Sequence, residues 1–351
     1  MTRRIGITST VPVEVILAAG DVPVDLNNVF IGDPEPSRFI RYAEEAGYPR
    51  NICGWIKGLY GLVMQTQCVD AVIALTQGDC SNTLALVETL MVSGVPVIPF
   101  EYPFGCDADL LRLQIEKLAH ALGTNILAAQ KWVRKLQPLR RKLAEIDSLT
   151  WREGVVTGYE NHLFLVSASD FCGDVGLFER KVDEFLKQAR RRKPFTGDVR
   201  TGYIGVPPMW ADLYQFMESQ GARVVFNETQ RQFSMPFNCR DIVEQYLTYT
   251  YPYGVFARLR DISTVVSERA VDGLVHYTQS FCFRQIEDLI FRKKLSLPIL
   301  TLEGDQPDLL DGRAKLRISA FIEMLRKGRN DHPRVSGLRK QWPSVNSRKD
   351  S

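Results

Sequence analysis

Short apolar runs alternate with amphipathic stretches in two parts of the chain. The apolar runs at residues 71–75 and 273–277 are each followed by a short polar turn, a segment with helical spacing and a second apolar run, at 95–98 or 297–300. Strands that are joined by crossover helices form parallel sheets, so this pattern predicts an α/β fold with parallel sheets.

The two patterns are copies of each other. At a constant offset of 202 residues, Cys80 falls on Cys282 and Pro96 falls on Pro298 without a gap. A chain that repeats the same order of strands and helices predicts two similar units. We therefore expect two Rossmann-like parallel-sheet lobes that are related by internal duplication.

The residues between the copies have a different period. Leu111, Ile115, Leu118 and Leu122 recur at helical spacing, and similar apolar faces follow at 126–143 and 175–192. This region is predicted to form helices and no sheet. The predicted organisation is a first α/β lobe at 1–104, a helical connecting region at 105–197, a second α/β lobe with a C-terminal helix at 198–328, and a disordered basic tail at 329–351.

Charge and hydropathy exclude two classes of partner. The formal net charge is +3, but residues 329–351 alone hold six Lys/Arg and two Asp/Glu, so the rest of the chain has no basic excess. Nucleic-acid binding requires a basic face on the folded part, so it is not expected. No apolar stretch is long enough for a signal peptide or a membrane span, and we expect a cytoplasmic protein.

Three of the seven cysteines are placed where chemistry is expected. Cys80 and Cys282 follow matching strands, and Cys53 begins an apolar helix. Parallel sheets bind ligands at the carboxyl ends of their strands, and thiolates are the ligands of iron–sulfur clusters. The three thiols could hold a [4Fe-4S] cluster, or they could be small buried hydrophobic side chains.

Three other residues are weaker candidates for catalysis. Glu101 and Glu303 end matching strands, where each could act as an acid or base or could pair with an arginine. A nucleophilic cysteine would need a base such as His276, which lies within a predicted strand. Ser81 could cap the helix that follows Cys80.

Several motifs resemble those of the 2-hydroxyacyl-CoA dehydratase and benzoyl-CoA reductase family, which includes relatives with double-cubane clusters. The resemblance spans roughly residues 4–328. The motifs that carry it include Cys53-Gly54-Trp55-Ile56-Lys57-Gly58, Gly78-Asp79-Cys80-Ser81, Ser280-Phe281-Cys282 and Leu300-Thr301-Leu302-Glu303-Gly304-Asp305.

The resemblance implies two Rossmann-like lobes with an iron–sulfur cluster in the cleft between them. It implies a [4Fe-4S] cluster or, in the double-cubane relatives, a larger one. The implied ligands are Cys53, Cys80 and Cys282, and the residues expected to line or orient the cluster are Thr10, Ser81, Gln279 and Phe281.

The resemblance also implies partners and a reaction. A separate ATP-dependent activator, itself an iron–sulfur protein, would supply low-potential electrons. The substrate, an acyl-CoA or a small molecule in the interlobe cleft, would undergo radical dehydration, as in a lyase, or reduction. The chain would work as a homodimer or as a heterodimer with a related subunit.

Three alternatives remain open at this point. A double-cubane reductase of small molecules could recruit further thiols from Cys68, Cys106, Cys172 or Cys239, although their spacing selects none of them. The chain could be a bilobed binding module without a redox role, which closes by a hinge. It could also be a non-catalytic partner subunit of a heterodimer.

Overall fold

The computed structural model of the protein describes residues 2–331. It contains two four-stranded parallel sheets that are separated by a long helical region, which confirms the predicted α/β class. The first sheet lies in the N-terminal part of the chain. Its elements are β1 (Arg4–Ile7), α1 (Val13–Ala18), β2 (Val22–Asp25), α2 (Leu26–Ile31), α3 (Ser37–Glu45), α4 (Gly54–Thr66), β3 (Ala71–Gln77), α5 (Ser81–Val92) and β4 (Val97–Glu101).

The helical region connects the two sheets. Residues 111, 115, 118 and 122 are all buried, as their spacing predicted. The second helix of the region contains Pro138 and is not interrupted by it. A π-helical turn (Leu149–Glu153) follows that helix. The four α-helices are α6 (Ala108–Ala121), α7 (Ile126–Ser148), α8 (Gly158–Val166) and α9 (Val175–Ala189).

The second sheet repeats the topology of the first. The strand order is β2-β1-β3-β4 in one sheet and β6-β5-β7-β8 in the other, and all neighbours are parallel. The elements are β5 (Val199–Gly205), α10 (Leu213–Ser219), β6 (Ala222–Asn227), α11 (Glu228–Phe233), α12 (Ile242–Thr248), α13 (Val255–Glu268), β7 (Gly273–Thr278), α14 (Arg284–Lys294), β8 (Ile299–Glu303) and α15 (Gly312–Asp331).

The duplication extends to individual hydrogen bonds. Asp70, just before β3, accepts the backbone N–H of Arg4 at 2.7 Å, and Asp272, just before β7, accepts that of Arg200 at 2.8 Å. Each carboxylate thus fixes the start of one strand against its neighbour. Sequence copies with matching topology and matching contacts identify the two lobes as products of one duplication.

The last helix differs in detail from its prediction. α15 begins at Gly312 and continues to Asp331, so residues 329–331 are helical, and the rest of the predicted tail lies outside the described residues. Leu316 is 72% exposed, whereas Ile318 and Ile322 are buried. No described helix is both long and apolar enough to cross a membrane.

The two lobes share a core. Tyr102, which follows β4, packs in one hydrophobic cluster with Tyr246 of α12 and with Tyr249 and Tyr253 beyond it. The second copy thus covers one face of the first sheet with the segment that holds α12. The lobes are therefore joined by buried apolar surface, which is the main source of stability in globular proteins.

A buried charged network reinforces this junction. The Glu14 carboxylate of α1 accepts hydrogen bonds from Arg140 of α7 at 2.6 Å and from Gln245 and Tyr246 of α12, each at 2.8 Å. The carboxylate is fully buried, and its partners hold its pKa below the usual range even though burial opposes this. We call these four residues the Glu14 network, and it links both lobes to the helical region.

Candidate functional site

The turn after β3 positions the first thiol. Gly78 has a φ of 97°, and a Cβ atom there would lie 2.8 Å from the Cβ of Tyr102, so glycine is required on both counts. The carboxylate of Asp79 accepts the backbone N–H of Cys80 at 2.8 Å. Cys80 is the N-cap residue of α5, so the hydroxyl of Ser81 does not cap this helix.

The matching turn after β7 positions the second thiol. Asp305 anchors this turn because its carboxylate accepts the backbone N–H and the hydroxyl of Ser280, at 2.7 and 2.5 Å. Phe281 follows with a φ of 57°, in the left-handed region, and Cys282 comes next. The two turns thus differ in sequence but present cysteine at the same place.

The third thiol comes from the start of a helix. Cys53 is the N-cap residue of α4, and its Sγ donates to Oε1 of Gln279 at 2.9 Å. The helix start is pressed against the second lobe, because a Cβ atom on Gly54 would lie 2.2 Å from the carbonyl oxygen of Asp305. Contact between the lobes therefore brings Cys53 to the strand ends.

All three cysteines line one cavity of about 590 Å³. Burial, followed by the proximity of Cys282 and Cys80, raises the pKa of the Cys53 thiol to about 12. Burial is also the main reason that the pKa values of Cys80 and Cys282 are raised. Since the thiols contribute to one another's electrostatics, they form one group within the cavity.

The three thiols do not form a site for a single metal ion. Within residues 2–331, no three His, Cys, Asp or Glu side chains are close enough to hold a single ion. Thiolates that share one ion lie about 4 Å apart because each bond is about 2.3 Å long. A cubane cluster binds its thiolates on separate irons, so it does not require the three cysteines to share one ion.

Buried donors without partners support the same fit. Around the thiols, three side-chain atoms that can donate a hydrogen bond have no hydrogen-bond partner among the described residues. Most buried polar atoms in a folded protein have a partner, so each of these calls for an explanation. Hydrogen bonds to the sulfurs of a cluster would satisfy them. The atoms are Oγ1 of Thr10, Nε1 of Trp55 and Nε2 of Gln279.

Not every residue expected near the cluster lines the cavity. Thr10 lines it and Gln279 contacts Cys53 directly, whereas Ser81 and Phe281 are exposed and lie outside the lining. Phe283, two residues further on, lines the cavity in place of Phe281. The turn geometry explains the difference, because the left-handed backbone of Phe281 directs its side chain away from the side of the turn on which Cys282 and Phe283 lie.

The three weaker catalytic candidates also lie outside the lining. Glu101 accepts from Thr76 and Gln114, and Glu303 accepts from Ser280 and Gln285. Neither glutamate pairs with an arginine in the part of the chain that the structure describes. His276 is fully buried under α14 and is hydrogen-bonded to Asp288 at 2.8 Å.

The remaining cysteines do not join the group. Cys106 and Cys172 are exposed, Cys239 contacts Thr248, and Cys68 lies before β3, at the opposite end of the strand from Cys80. None of these four lines the cavity. The structure thus gives the double-cubane alternative no additional thiol ligands at this site.

A polar wall of the cavity was not expected from the sequence. Asp25 ends β2, and His162 lies on α8, with Nδ1 accepting a hydrogen bond from the Gln230 amide at 3.0 Å. Burial lowers the pKa of His162 to about 4, so this ring is neutral with its hydrogen on Nε2. Asp25 could have been found by the strand-end rule, whereas nothing in the sequence around His162 points to the cavity.

The charges of the lining are unbalanced. Four aspartates face the cavity, and Arg284 is the one lysine or arginine among the described lining residues. The guanidinium lies over the ring of Tyr251, 4.0 Å from its centroid, and donates to that residue's carbonyl oxygen. The cavity therefore has little positive charge with which to bind phosphate groups.

Comparisons with known proteins give one informative match. No curated protein sequence matches the chain. A solved structure titled the SBP FpvC in complex with Ni²⁺ ion from P.aeruginosa matches 95% of this chain and 100% of its own at 14% identity. Its TM-score of 0.22 is too low to support any inference. The family model HGD-D, described as 2-hydroxyglutaryl-CoA dehydratase, D-component, matches residues 8–325. Because this match covers most of the sequence, the chain belongs to the family of the 2-hydroxyglutaryl-CoA dehydratase D-component.

Proposed function

We propose that the chain is a dehydratase-like iron–sulfur subunit that holds a [4Fe-4S] cluster through Cys53, Cys80 and Cys282 and reduces a molecule bound in the cavity. The observation that carries this proposal is the convergence of three thiols from two strand ends and a helix start on one cavity. Family membership agrees with it. When bound, such a cluster supplies single electrons and an iron that can bind an oxygen atom.

The chain's own residues would prepare the site. Gln279 accepts from Cys53 and from the backbone N–H of Trp55, so one amide fixes the start of α4 relative to β7. The unpartnered donors around the thiols would stabilise negative charge on a cluster and its ligands. The apolar part of the lining, which includes Met209 and Trp210, would exclude water.

An iron and sulfide assay on anaerobically reconstituted protein tests the cluster. We expect about four irons per chain, and less than one iron per chain would contradict the proposal. Cys80→Ser should lose most of the iron. Cys106→Ser, at an exposed thiol outside the cavity, is the matched control and should retain it. About eight irons would instead favour a double-cubane centre.

The substrate is an acyl-CoA thioester or a small reducible molecule. Family membership favours the thioester. The lining favours the small molecule, because four aspartates and a single arginine offer little to the phosphates of CoA. Both classes can be assayed with an ATP-dependent activator as the electron donor. Turnover of thioesters alone would identify a dehydratase-like enzyme, and turnover of small compounds alone would identify the reductase.

The same assay tests the expected partners. We propose that an activator iron–sulfur protein delivers the electrons and that the chain works as a homodimer or with a related subunit. A non-catalytic subunit would accept electrons but turn over nothing until a sister chain is added. Reduction that proceeds with the activator but without ATP would contradict the proposed partner.

A further inference from the structure

Two buried carboxyl groups lie close together at the polar wall of the cavity, and no cation among the described residues is paired with either. Asp25 lines the cavity, and Asp170 lies behind it in the helical region, beyond α8. They are 3% and 5% exposed. The described partners of both carboxyls are backbone N–H groups and uncharged side chains, and include no lysine, arginine or histidine.

The hydrogen bonds around Asp25 fit a protonated acid. Its Oδ1 accepts from the backbone N–H and from Nδ2 of Asn27, each at 2.9 Å. Its Oδ2 lies 2.5 Å from Oγ of Ser169, which also lies 2.9 Å from the carbonyl oxygen of Val166. Ser169 can donate to either oxygen but has one hydroxyl hydrogen, so a hydrogen on Asp25 would allow both contacts to be hydrogen bonds.

Asp170 is held differently. Its Oδ2 accepts the backbone N–H of Asp25 at 2.7 Å, and its Oδ1 accepts that of Cys172 at 2.9 Å. These two bonds tie the carboxyl directly behind the end of β2. The two acidic groups are thus fixed near each other by the backbone.

The neighbouring titratable groups do not offset the negative charge that Asp25 and Asp170 would carry if both were ionised. Burial raises the pKa of both carboxyls, that of Asp170 to about 7 with the charge of Asp25 as the next cause. From the adjacent turn, Cys172 has a pKa that is raised by burial and by Asp170. Lys181 of α9 interacts with that thiol and is not a cause of the raised pKa of either carboxyl. From α1, Glu14 is already paired within the Glu14 network, and from α8, His162 is neutral.

We propose that Asp25 is protonated in the folded protein and donates its proton to an oxygen atom of the molecule bound in the cavity. This inference rests on the proposed function, because reduction by an electron from the low-potential donor makes a carbonyl or hydroxyl oxygen more basic. The O–H bond of Asp25 breaks, an O–H bond forms on the substrate, and the electron pair remains on the carboxylate.

The residues around Asp25 suit both states of the acid. After proton transfer, the carboxylate would keep the two hydrogen bonds from Asn27 and could accept the Ser169 hydroxyl. No ion pair would need to break or form. Repulsion from Asp170 in a buried setting then favours return of a proton from water that enters the cavity. The substrate class is therefore a carbonyl, thioester or hydroxyl compound.

Labelling with dicyclohexylcarbodiimide tests the proton directly, since this apolar reagent reacts with protonated carboxyl groups. The full-length, anaerobically purified protein is treated at pH 7, and modified sites are identified by mass spectrometry. We expect modification of Asp25. Asp33 is the matched control, because it lines the same cavity but is paired with Arg38 at 2.7 Å, which keeps its pKa low. Labelling of Asp25 no faster than Asp33 would overturn the proposal.

The variant Asp25→Asn supplies the second readout. Its Nδ2 can donate to Ser169 in place of the acid hydrogen, and its Oδ1 can keep both bonds from Asn27, so the fold is preserved. In the infrared spectrum at pH 7, the wild type minus variant difference should contain the carbonyl stretch of a protonated carboxyl group. Absence of that band would also overturn the proposal.

Turnover separates this proposal from the proposed function. Asp25→Asn should keep its iron content and its reduction by the activator but lose turnover by about 100-fold or more, the usual contribution of a general acid. Unchanged turnover would overturn the role of Asp25. If the wild type binds no iron, the proposed function fails, and the labelling and infrared results still decide whether Asp25 is protonated and reachable from the cavity.

Discussion

Replacing Asp170 with asparagine should change how the stability of the protein depends on pH. The ordinary pKa of this carboxyl is 3.8, and in the folded protein burial, followed by the proximity of Asp25, raises it to about 7. Below about pH 4 both the folded and the unfolded chain hold the proton. As the pH rises through 7, the unfolded chain has lost a proton that the folded chain retains, so stability is lost. A shift of about 3 units corresponds to about 4 kcal/mol.

The measurement is the free energy of unfolding in urea, for wild type and variant, at several values between about pH 4 and about pH 7. Apart from the effect of this titration, the free energy of unfolding of Asp170→Asn should differ from that of the wild type by an amount that does not depend on pH. This offset arises because Nδ2 of the asparagine must face one of the backbone N–H groups that donate to the carboxylate. His162 titrates in the same range with the opposite sign, but it does so in both proteins and cancels in the difference.

The expected result is that the wild type loses about 4 kcal/mol relative to the variant across this range. The carboxyl of Asp170 is buried, so solvent screening does not reduce this figure greatly. Two parallel curves, separated only by the constant offset, would mean that Asp170 is ionised in the folded protein. This result would refute the argument that the buried carboxyls of Asp25 and Asp170 lack a cation to stabilise their charged forms.

Two further variants test how the second lobe and the thiol turn are stabilised. Arg258→Met should lower the free energy of unfolding in urea by about 3–5 kcal/mol, because it removes the ion-pair partner of the buried carboxylate of Glu228, which lies 2.7 Å away. Exposed Arg240→Met should cost less than about 1 kcal/mol, and equal losses would contradict the argument. Gly78→Ala should lower stability by about 1–3 kcal/mol and reduce the iron retained, whereas Gly94→Ala, with a similar φ but open space around it, should retain its iron.

The fold and the position of the thiols at the strand ends could be predicted from the sequence because both follow from local rules. Alternating strands and helices determine a parallel sheet, and a repeat at constant offset determines that there are two. The position of a residue after a strand then determines at which edge it lies. This rule places Cys80 and Cys282 at the carboxyl ends of their strands from the sequence alone. The start of α4 at Cys53 follows from the periodic spacing of the apolar residues in that helix.

The polar wall could not be predicted in the same way. Asp25 also ends a strand, but an aspartate before a helix has an ordinary local role, and its Oδ1 does accept the N–H of Asn27 at the start of α2. Its partner Asp170 is 145 residues away, and their approach depends on how the helical region packs on the first sheet. Phe281 was expected to line the cavity because it stands beside Cys282 in the sequence. Its backbone is in the left-handed region, a local conformation that the sequence does not reveal, and its side chain lies outside the lining.

The Glu14 network has a consequence for how molecules enter the cavity. If the lobes separated as the two halves of a clamshell do, Glu14 would lose Gln245 and Tyr246 and the shared core would become wet. Such a separation would break hydrogen bonds to a buried carboxylate and expose apolar surface to water, and both changes cost stability. We therefore expect a substrate to enter the cavity while the two lobes stay in contact, so that its size limits its entry.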